Sequence, residues 1–265
     1  MKLWKTMLVA LAAPLLLTGC LWGPGKFASD LTLTKDGSFI LNYRGEIVIQ
    51  MPPDEDAPKP WSADQAHCTG DEDKERPCTK AEIAIQKAEY EQRAAAKRKE
   101  NEDMAKALGL PGLDDESNRA FAAKLTKYAG WRAVTYRGKG VFDVDYHFEG
   151  RATQDFIFPA LPDNDLIIPF IAVRRRADGS VLVTASAMTG GAGPIAARAG
   201  AAAASKMGSG GPQSRAEGRF TIITDGEILT NNSEDGAAPH PLGRQLHWDV
   251  GSGSSKIPET LIRLQ

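Results

Sequence analysis

Apolar and polar residues alternate along much of this chain, and Asp-Gly pairs punctuate the alternation. SDLTLTKDGSFILNYRGEIVIQM alternates around Asp36-Gly37. Alternating side chains point to opposite faces of a strand, and Asp-Gly between two such runs is a strong hairpin signal. The period of two returns at Trp131. WRAVTYRGKGVFDVDYHFEGRATQDFIF predicts paired strands, and LIIPFIAVRRRADGSVLVTASAM predicts a hairpin turning at Asp178-Gly179. GRFTIITDGEILTNNSEDG, QLHWDV and ETLIRLQ add three or four strands, with turns at Asp225-Gly226 and Asp235-Gly236.

A different pattern separates these blocks. MPPDEDAPKPW holds four prolines and three acids, which predicts an irregular loop. Thr79, with Glu82 three residues later, makes a capping box. Lys80 to Leu108 is built from strong helix formers, with opposite charges four apart at Lys87/Glu91, Glu89/Arg93 and Glu102/Lys106. Its apolar positions are sparse (Ile83, Tyr90, Met104, Leu108), so this helix buries little. It is a solvated outer helix, or an arm that packs on a partner. Gly109 to Gly112 ends it. A shorter helix is predicted over Asp115 to Tyr128, with Phe121, Leu125 and Tyr128 on one face and Gly130 as its stop.

Hairpins outnumber helices and no βαβ alternation occurs. The pattern predicts an α+β fold: an antiparallel β-sheet built from hairpins, with one long charged helix and one short helix inserted. The expected organisation is a single α+β domain over 30–265, with a helical insertion at 79–129. Residues 190–215, almost all Gly, Ala and Ser, lack the bulk for a core and are expected to form a flexible loop, with room for a short helix from Ile195 to Lys206.

The start of the chain changes the picture. Lys2 and Lys5 precede an apolar run from Met7 to Leu17, followed by Thr18-Gly19-Cys20. This is the layout of a secretory signal peptide over 1–19, too short to span a bilayer. Leu17-Thr18-Gly19-Cys20 resembles the lipobox of bacterial lipoproteins. The resemblance implies cleavage before Cys20, diacylglycerol on its thiol and acylation of the new amine. Two or more acyl chains give stable anchoring where one gives only marginal binding. Residues 20–29 are then expected to be anchor and tether. Leu21, rather than an acid, follows the cysteine, which in the enteric pattern points to the outer membrane's periplasmic face.

Removing residues 1–19 takes two lysines and no acids, leaving 30 basic against 34 acidic side chains, a net charge of −4. That mild acidity speaks against a nucleic-acid partner. In an oxidising compartment the two remaining cysteines, Cys68 and Cys78, are expected to form a disulfide closing HCTGDEDKERPC. The rival is a metal site from His67, Cys68 and Cys78 with Asp71 or Asp73, against the tighter four-ligand spacing of zinc.

FDVDYHFE is the sharpest constellation. Phe142, Val144, Tyr146 and Phe148 share one strand face; Asp143, Asp145, His147 and Glu149 share the other. The second set has metal-ligand chemistry, but side chains two apart on a strand are almost 7 Å apart. The wet face of a sheet is the simpler reading, and no metal or cofactor is expected. No Gly-x-Ser-x-Gly elbow, His-Glu-x-x-His or phosphate-cradling glycine loop occurs, so an enzyme is not expected. His247 beside Trp248 reads as structural, and Arg174-Arg175-Arg176 as a solvated strand end.

A lipobox followed at once by LTLTKDGSFILNYRGEIVI, with GRFTIITDGEILTNNSEDG and LHWDV closing the chain, resembles the LppM-type bacterial lipoproteins. The resemblance covers about 90 residues in two blocks. It implies a β-rich α+β domain linked to envelope lipid binding. This sequence departs from that pattern in the Cys68–Cys78 loop, the charged helix and the Gly/Ala segment, and no family site residue maps onto it. Two functions follow as expectations. One is a lipid-anchored envelope protein binding a lipid or other apolar ligand, with Phe156, Phe158, Ile168 and Phe170 as the ligand-binding residues. The other is an interaction protein whose helix over 79–108 binds an envelope protein partner.

Overall fold

The computed structural model describes residues 22–49, 61–70, 74–107, 114–161, 169–189, 215–254 and 256–264. Cys20, Ile168 and nearly all of the Gly/Ala segment lie outside them. In chain order the first elements are β1 (Trp22–Leu33), β2 (Ser38–Ile49), β3 (Cys68–Thr69), β4 (Glu75–Arg76), α1 (Lys80–Ala107) and α2 (Asp115–Leu125). Then come β5 (Trp131–Gly138), β6 (Val141–Arg151), β7 (Phe156–Phe158), β8 (Ile171–Arg175) and β9 (Val181–Thr184). The last are β10 (Glu217–Thr224), β11 (Glu227–Asn231), β12 (Ala238–His240), β13 (Gly243–Val250) and β14 (Glu259–Arg263). The fold is α+β, as the alternation and the capping box predict.

Local chemistry explains the first hairpin. The Asp36 carboxylate accepts from the Thr34 hydroxyl at 2.5 Å and the Ser38 amide at 2.9 Å, and Gly37 takes the left-handed φ of 85° that closes the turn. The Thr34 and Ser38 bonds hold the Asp36 carboxyl down at about 2. β8 and β9 repeat the device at Asp178-Gly179, where Ser180 bonds the Asp178 carboxylate.

The chain forms two units, Met1–Pro52 with Asp115–Gln265, and Pro53–Asp114. In the first unit a seven-stranded sheet has the order β12-β13-β10-β1-β2-β6-β5, and a five-stranded sheet the order β11-β14-β9-β8-β7. Four expectations are corrected here. The antiparallel hairpins divide between two sheets, and β1 pairs with β10 in parallel, Leu31 opposite Ile222. Asp225-Gly226 is not a hairpin turn: β10 and β11 belong to different sheets. The tether expected over 20–29 is strand from Trp22 onward, with Trp22 and Phe27 buried. The helix expected to reach Tyr128 stops at Leu125, leaving Tyr128 exposed. The first two arise because distant strands choose partners by burial, which local pattern does not encode.

The insertion expected over 79–129 divides as well, because α2 belongs to the first unit. Phe121 of α2 lies 5.7 Å from the Trp22 ring and 6.2 Å from Phe142, so this short helix covers one end of the seven-stranded sheet. In the second unit, Cys68 and Cys78 form a disulfide with a Cα–Cα distance of 5.3 Å, which consumes both thiols of the rival metal reading. Gln86 of α1 holds the loop by accepting from the His67 amide and donating to the His67 carbonyl. The capping box forms as expected: Thr79 N donates to Glu82 at 2.9 Å and Glu82 N to the Thr79 hydroxyl at 3.3 Å. The Arg76 guanidinium also grips the Glu82 carboxylate with both terminal nitrogens. Trp61 lies on Tyr90, with ring centroids 5.4 Å apart.

Candidate ligand site between the two sheets

Strand register builds the inner face of the seven-stranded sheet. Trp248, Phe220, Ser29, Tyr43, Tyr146 and Trp131 stand side by side across β13, β10, β1, β2, β6 and β5. Of the expected core row, Phe142, Val144 and Tyr146 are buried on this face and Phe148 is half-buried, each beside a residue of β2. The five-stranded sheet supplies the opposing rings. Phe158 of β7 lies 4.5 Å from Tyr146, 5.0 Å from Tyr43 and 6.0 Å from Trp131. Phe170, just before β8, meets Phe158 edge-on at 5.9 Å and Tyr43 at 6.1 Å. Both phenylalanines are wholly buried, and burial of each is worth about 2–3 kcal/mol.

Phe156 occupies a different position. It is half-buried and stacks on Phe148 at 4.9 Å and against Phe39 at 5.0 Å. It sits on β7, a terminal strand of its sheet, as β5 is of the other. The rings therefore run from a fully buried interior around Tyr43 and Phe158 to the half-buried Phe156. Ile157, between them in sequence, faces away and is exposed. The structure thus gathers Phe156, Phe158 and Phe170 into one cluster, and Ile168 lies outside the described residues. The sequence reading missed Tyr43, Tyr146 and Trp131 as members, although each sits at an inner position of its own alternating run.

The cluster is uncharged. Burial raises the Tyr43 phenol, with the Glu46 carboxylate adding to the effect, and the hydroxyl donates to the Glu46 carbonyl at 2.7 Å. Burial pushes Tyr146 up to about 12. The interior that these rings fill is apolar and neutral, with the two phenols as its polar groups.

The outer face is polar. His147 shares its Nδ1 with the Asn42 side-chain oxygen at 2.7 Å, Asn42 donates to Asp30 at 2.8 Å, and His147 Nε2 lies 3.1 Å from Glu149. Asp143 pairs with Arg137 at 2.6 Å and Asp145 with Arg44 at 3.7 Å. Asp143 and Asp145 thus answer to neighbouring strands and Glu149 to its own, and among the described residues no three metal-type ligands converge. A polar cleft of about 300 Å3 lies near Trp248, lined by Asn232, Glu234, Asp235, His247, Asp249 and Lys256 among others. Its side chains pair locally: His247 with Asp235 at 3.1 Å, Asp249 with Arg219 at 2.7 Å, and Lys256 with Glu234 at 3.8 Å. The Arg219 guanidinium holds the Asp249 carboxyl below its usual range.

No family model matches the chain, and no curated protein matches it in sequence. Among solved structures, the chain is similar to the NMR structure of the folded domain of LppM from Mycobacterium tuberculosis. That likeness has 11% sequence identity, covers 93% of this chain and 92% of that one, and has a TM-score of 0.25.

Proposed function

We propose that this chain is a lipid-anchored protein of the bacterial cell envelope, held through acyl chains on Cys20 at the periplasmic face of the outer membrane. There its larger unit binds a lipid or other apolar ligand between its two sheets, without catalysing a reaction. The anchor reading is supported by the apolar run ending in Leu-Thr-Gly-Cys and by the Cys68–Cys78 disulfide, a bond that persists in oxidising compartments. The binding reading rests on one observation: the aromatic cluster runs from buried Phe158 to half-buried Phe156 at a sheet margin. Native mass spectrometry of residues 21–265, exported to the periplasm without Cys20, tests it. A stoichiometric adduct that leaves with organic solvent is expected. A bare mass that gains nothing when envelope lipids are added back overturns the binding reading.

A second reading has its own observation. α1 carries 28 residues, of which Ala94 is the one buried among its described side chains, and Ile85 is 60% exposed. Such a helix presents a long charged face to a protein partner. Cross-linking from α1 in intact envelopes, with a discrete partner band, is the result this reading expects.

A further inference from the structure

The link between anchor and fold is one residue long. Leu21 separates Cys20 from Trp22, the first residue of β1. Two peptide units reach at most about 7 Å. If acyl chains hold Cys20 in the headgroup layer, the Trp22 end of the seven-stranded sheet must lie against that layer. The inference rests on the anchor reading and goes beyond it by assigning the surface that meets the membrane.

That end carries an unusual turn. Trp22 pairs with Ile49, and the Ile49 amide donates to the Gly140 carbonyl at 2.8 Å. The β5–β6 turn, Lys139-Gly140, therefore sits about 10 Å from β1, two strand spacings away. Lys139 has a φ of 52° and is the one non-glycine residue with positive φ among the described residues. With Gly140 at 73° the pair forms a hairpin turn in which Asn or Gly normally takes the first place. A lysine there bears backbone strain that asparagine would relieve, and strain retained at a surface turn points to a use for the side chain. Lys139 is exposed. Three acids at this end are engaged elsewhere: Asp143 by Arg137, Asp115 by Tyr136, and Glu46 by the Lys26 amide. On the other flank of β1, Arg215 lies two residues before β10, whose first residue, Glu217, is the register partner of Lys26. Cations thus flank the anchored strand on both sides, as suits a surface of anionic headgroups.

We infer that the Lys139-Gly140 turn is a membrane contact, with the Lys139 ammonium on lipid headgroup phosphates of the leaflet that holds the Cys20 acyl chains. The sheet then stands on the bilayer with the Asp36-Gly37 turn at its far end, roughly 35 Å away along the 12 residues of β2. Lys35, exposed in that far turn, is the internal control.

The test uses the full lipidated protein in vesicles of phosphatidylethanolamine and phosphatidylglycerol. An amine-reactive reagent is applied, and Lys139 and Lys35 modification is read by mass spectrometry, each relative to its rate in the urea-unfolded protein. The expected result is loss of most Lys139 reactivity with Lys35 reactivity retained. Equal reactivity at both lysines, in a protein whose intact mass carries the acyl chains, overturns this inference alone. An intact mass without acyl chains overturns the anchor reading and this inference with it.

Discussion

The Trp248 indole N–H donates to the Asn232 side-chain oxygen at 2.9 Å, and that same oxygen accepts the Glu259 amide at 3.0 Å. Trp248 belongs to β13 and Glu259 to β14, strands of different sheets. The Asn232 amide donates in turn to the Ile257 carbonyl at 2.7 Å. One side chain, in the connection that carries the chain from β11 to β12, therefore joins both sheets. Asn232→Ala leaves the Trp248 and Glu259 N–H groups without this acceptor and is expected to cost about 2–3 kcal/mol. At 2–4 °C per kcal/mol, that is a fall in Tm of about 5–10 °C. Asn232→Asp keeps the acceptor, loses the donor, and should fall between. A thermal melt of Asn232→Ala that overlays the wild type would show that the joint contributes nothing.

Phe27 is held between two glycines. Gly45 on β2 and Gly218 on β10 are its register partners, and the Phe27 ring stacks on Tyr43 at 5.9 Å. Gly45 has a φ of 147°, and a Cβ there would strike the Lys26 carbonyl and the Phe27 Cα. At Gly218 a Cβ would strike the Phe27 carbonyl. The obstacles are backbone atoms beside the bulge that β1 carries between Pro24 and Phe27, so no rotamer change relieves them. Gly45→Ala and Gly218→Ala should each cost about 3 kcal/mol or more. Urea titration checks this: a midpoint unmoved in either variant would mean that β1 shifts freely.

Much of this arrangement is legible in the sequence where the determining chemistry is local. Asp36-Gly37 and Asp178-Gly179 close hairpins because a carboxylate caps nearby groups and a glycine follows. Thr79 and Glu82 cap a helix because they are three residues apart. The two faces of β6 follow from strand geometry alone. What is not legible depends on distant partners. Asp225-Gly226 has the same letters as the hairpin turns, yet its flanking strands find different sheets. Lys35 N donates to Asp225 at 2.6 Å, across 190 residues, which ties this sheet switch to the first hairpin. Trp22 reads as tether because a strand that begins beside a signal peptide carries no alternation before it. Phe158 and Phe170 read as a pocket lining, and the local pattern does not show that Tyr43 and Tyr146 of the facing sheet pack against Phe158.

Acid should loosen the start of α1. The Arg76 guanidinium, with help from Thr79, holds the Glu82 carboxyl at about 2, below its ordinary 4.5. A depressed carboxyl contributes stability that is fully present above the ordinary value and is lost as pH falls toward the folded one. The window is therefore between about 4.5 and 2. Hydrogen exchange over Lys80 to Ile83 should speed up across that window, and Glu82→Gln should make it fast and pH-independent beyond the intrinsic rate. Exchange in the wild type that follows only the intrinsic rate would remove the capping box from the account.

The ring cluster gives the sharpest division between core and site. Phe158 touches Tyr43, Tyr146, Trp131 and Phe170 and has no exposed surface. Phe158→Ala is expected to cost about 3–5 kcal/mol, the range for removing a buried phenylalanine from a filled interior. Phe156 has rings on one side and the sheet margin on the other. Its partial burial makes Phe156→Ala worth about 1 kcal/mol. A ligand entering along β7 would meet Phe156 first, so Phe156→Ala should lower adduct occupancy while the protein melts close to the wild type. Native mass spectra of Phe156→Ala beside a thermal melt decide the matter. Full occupancy would move any ligand away from β7, and a melt as damaged as that of Phe158→Ala would make Phe156 part of the core.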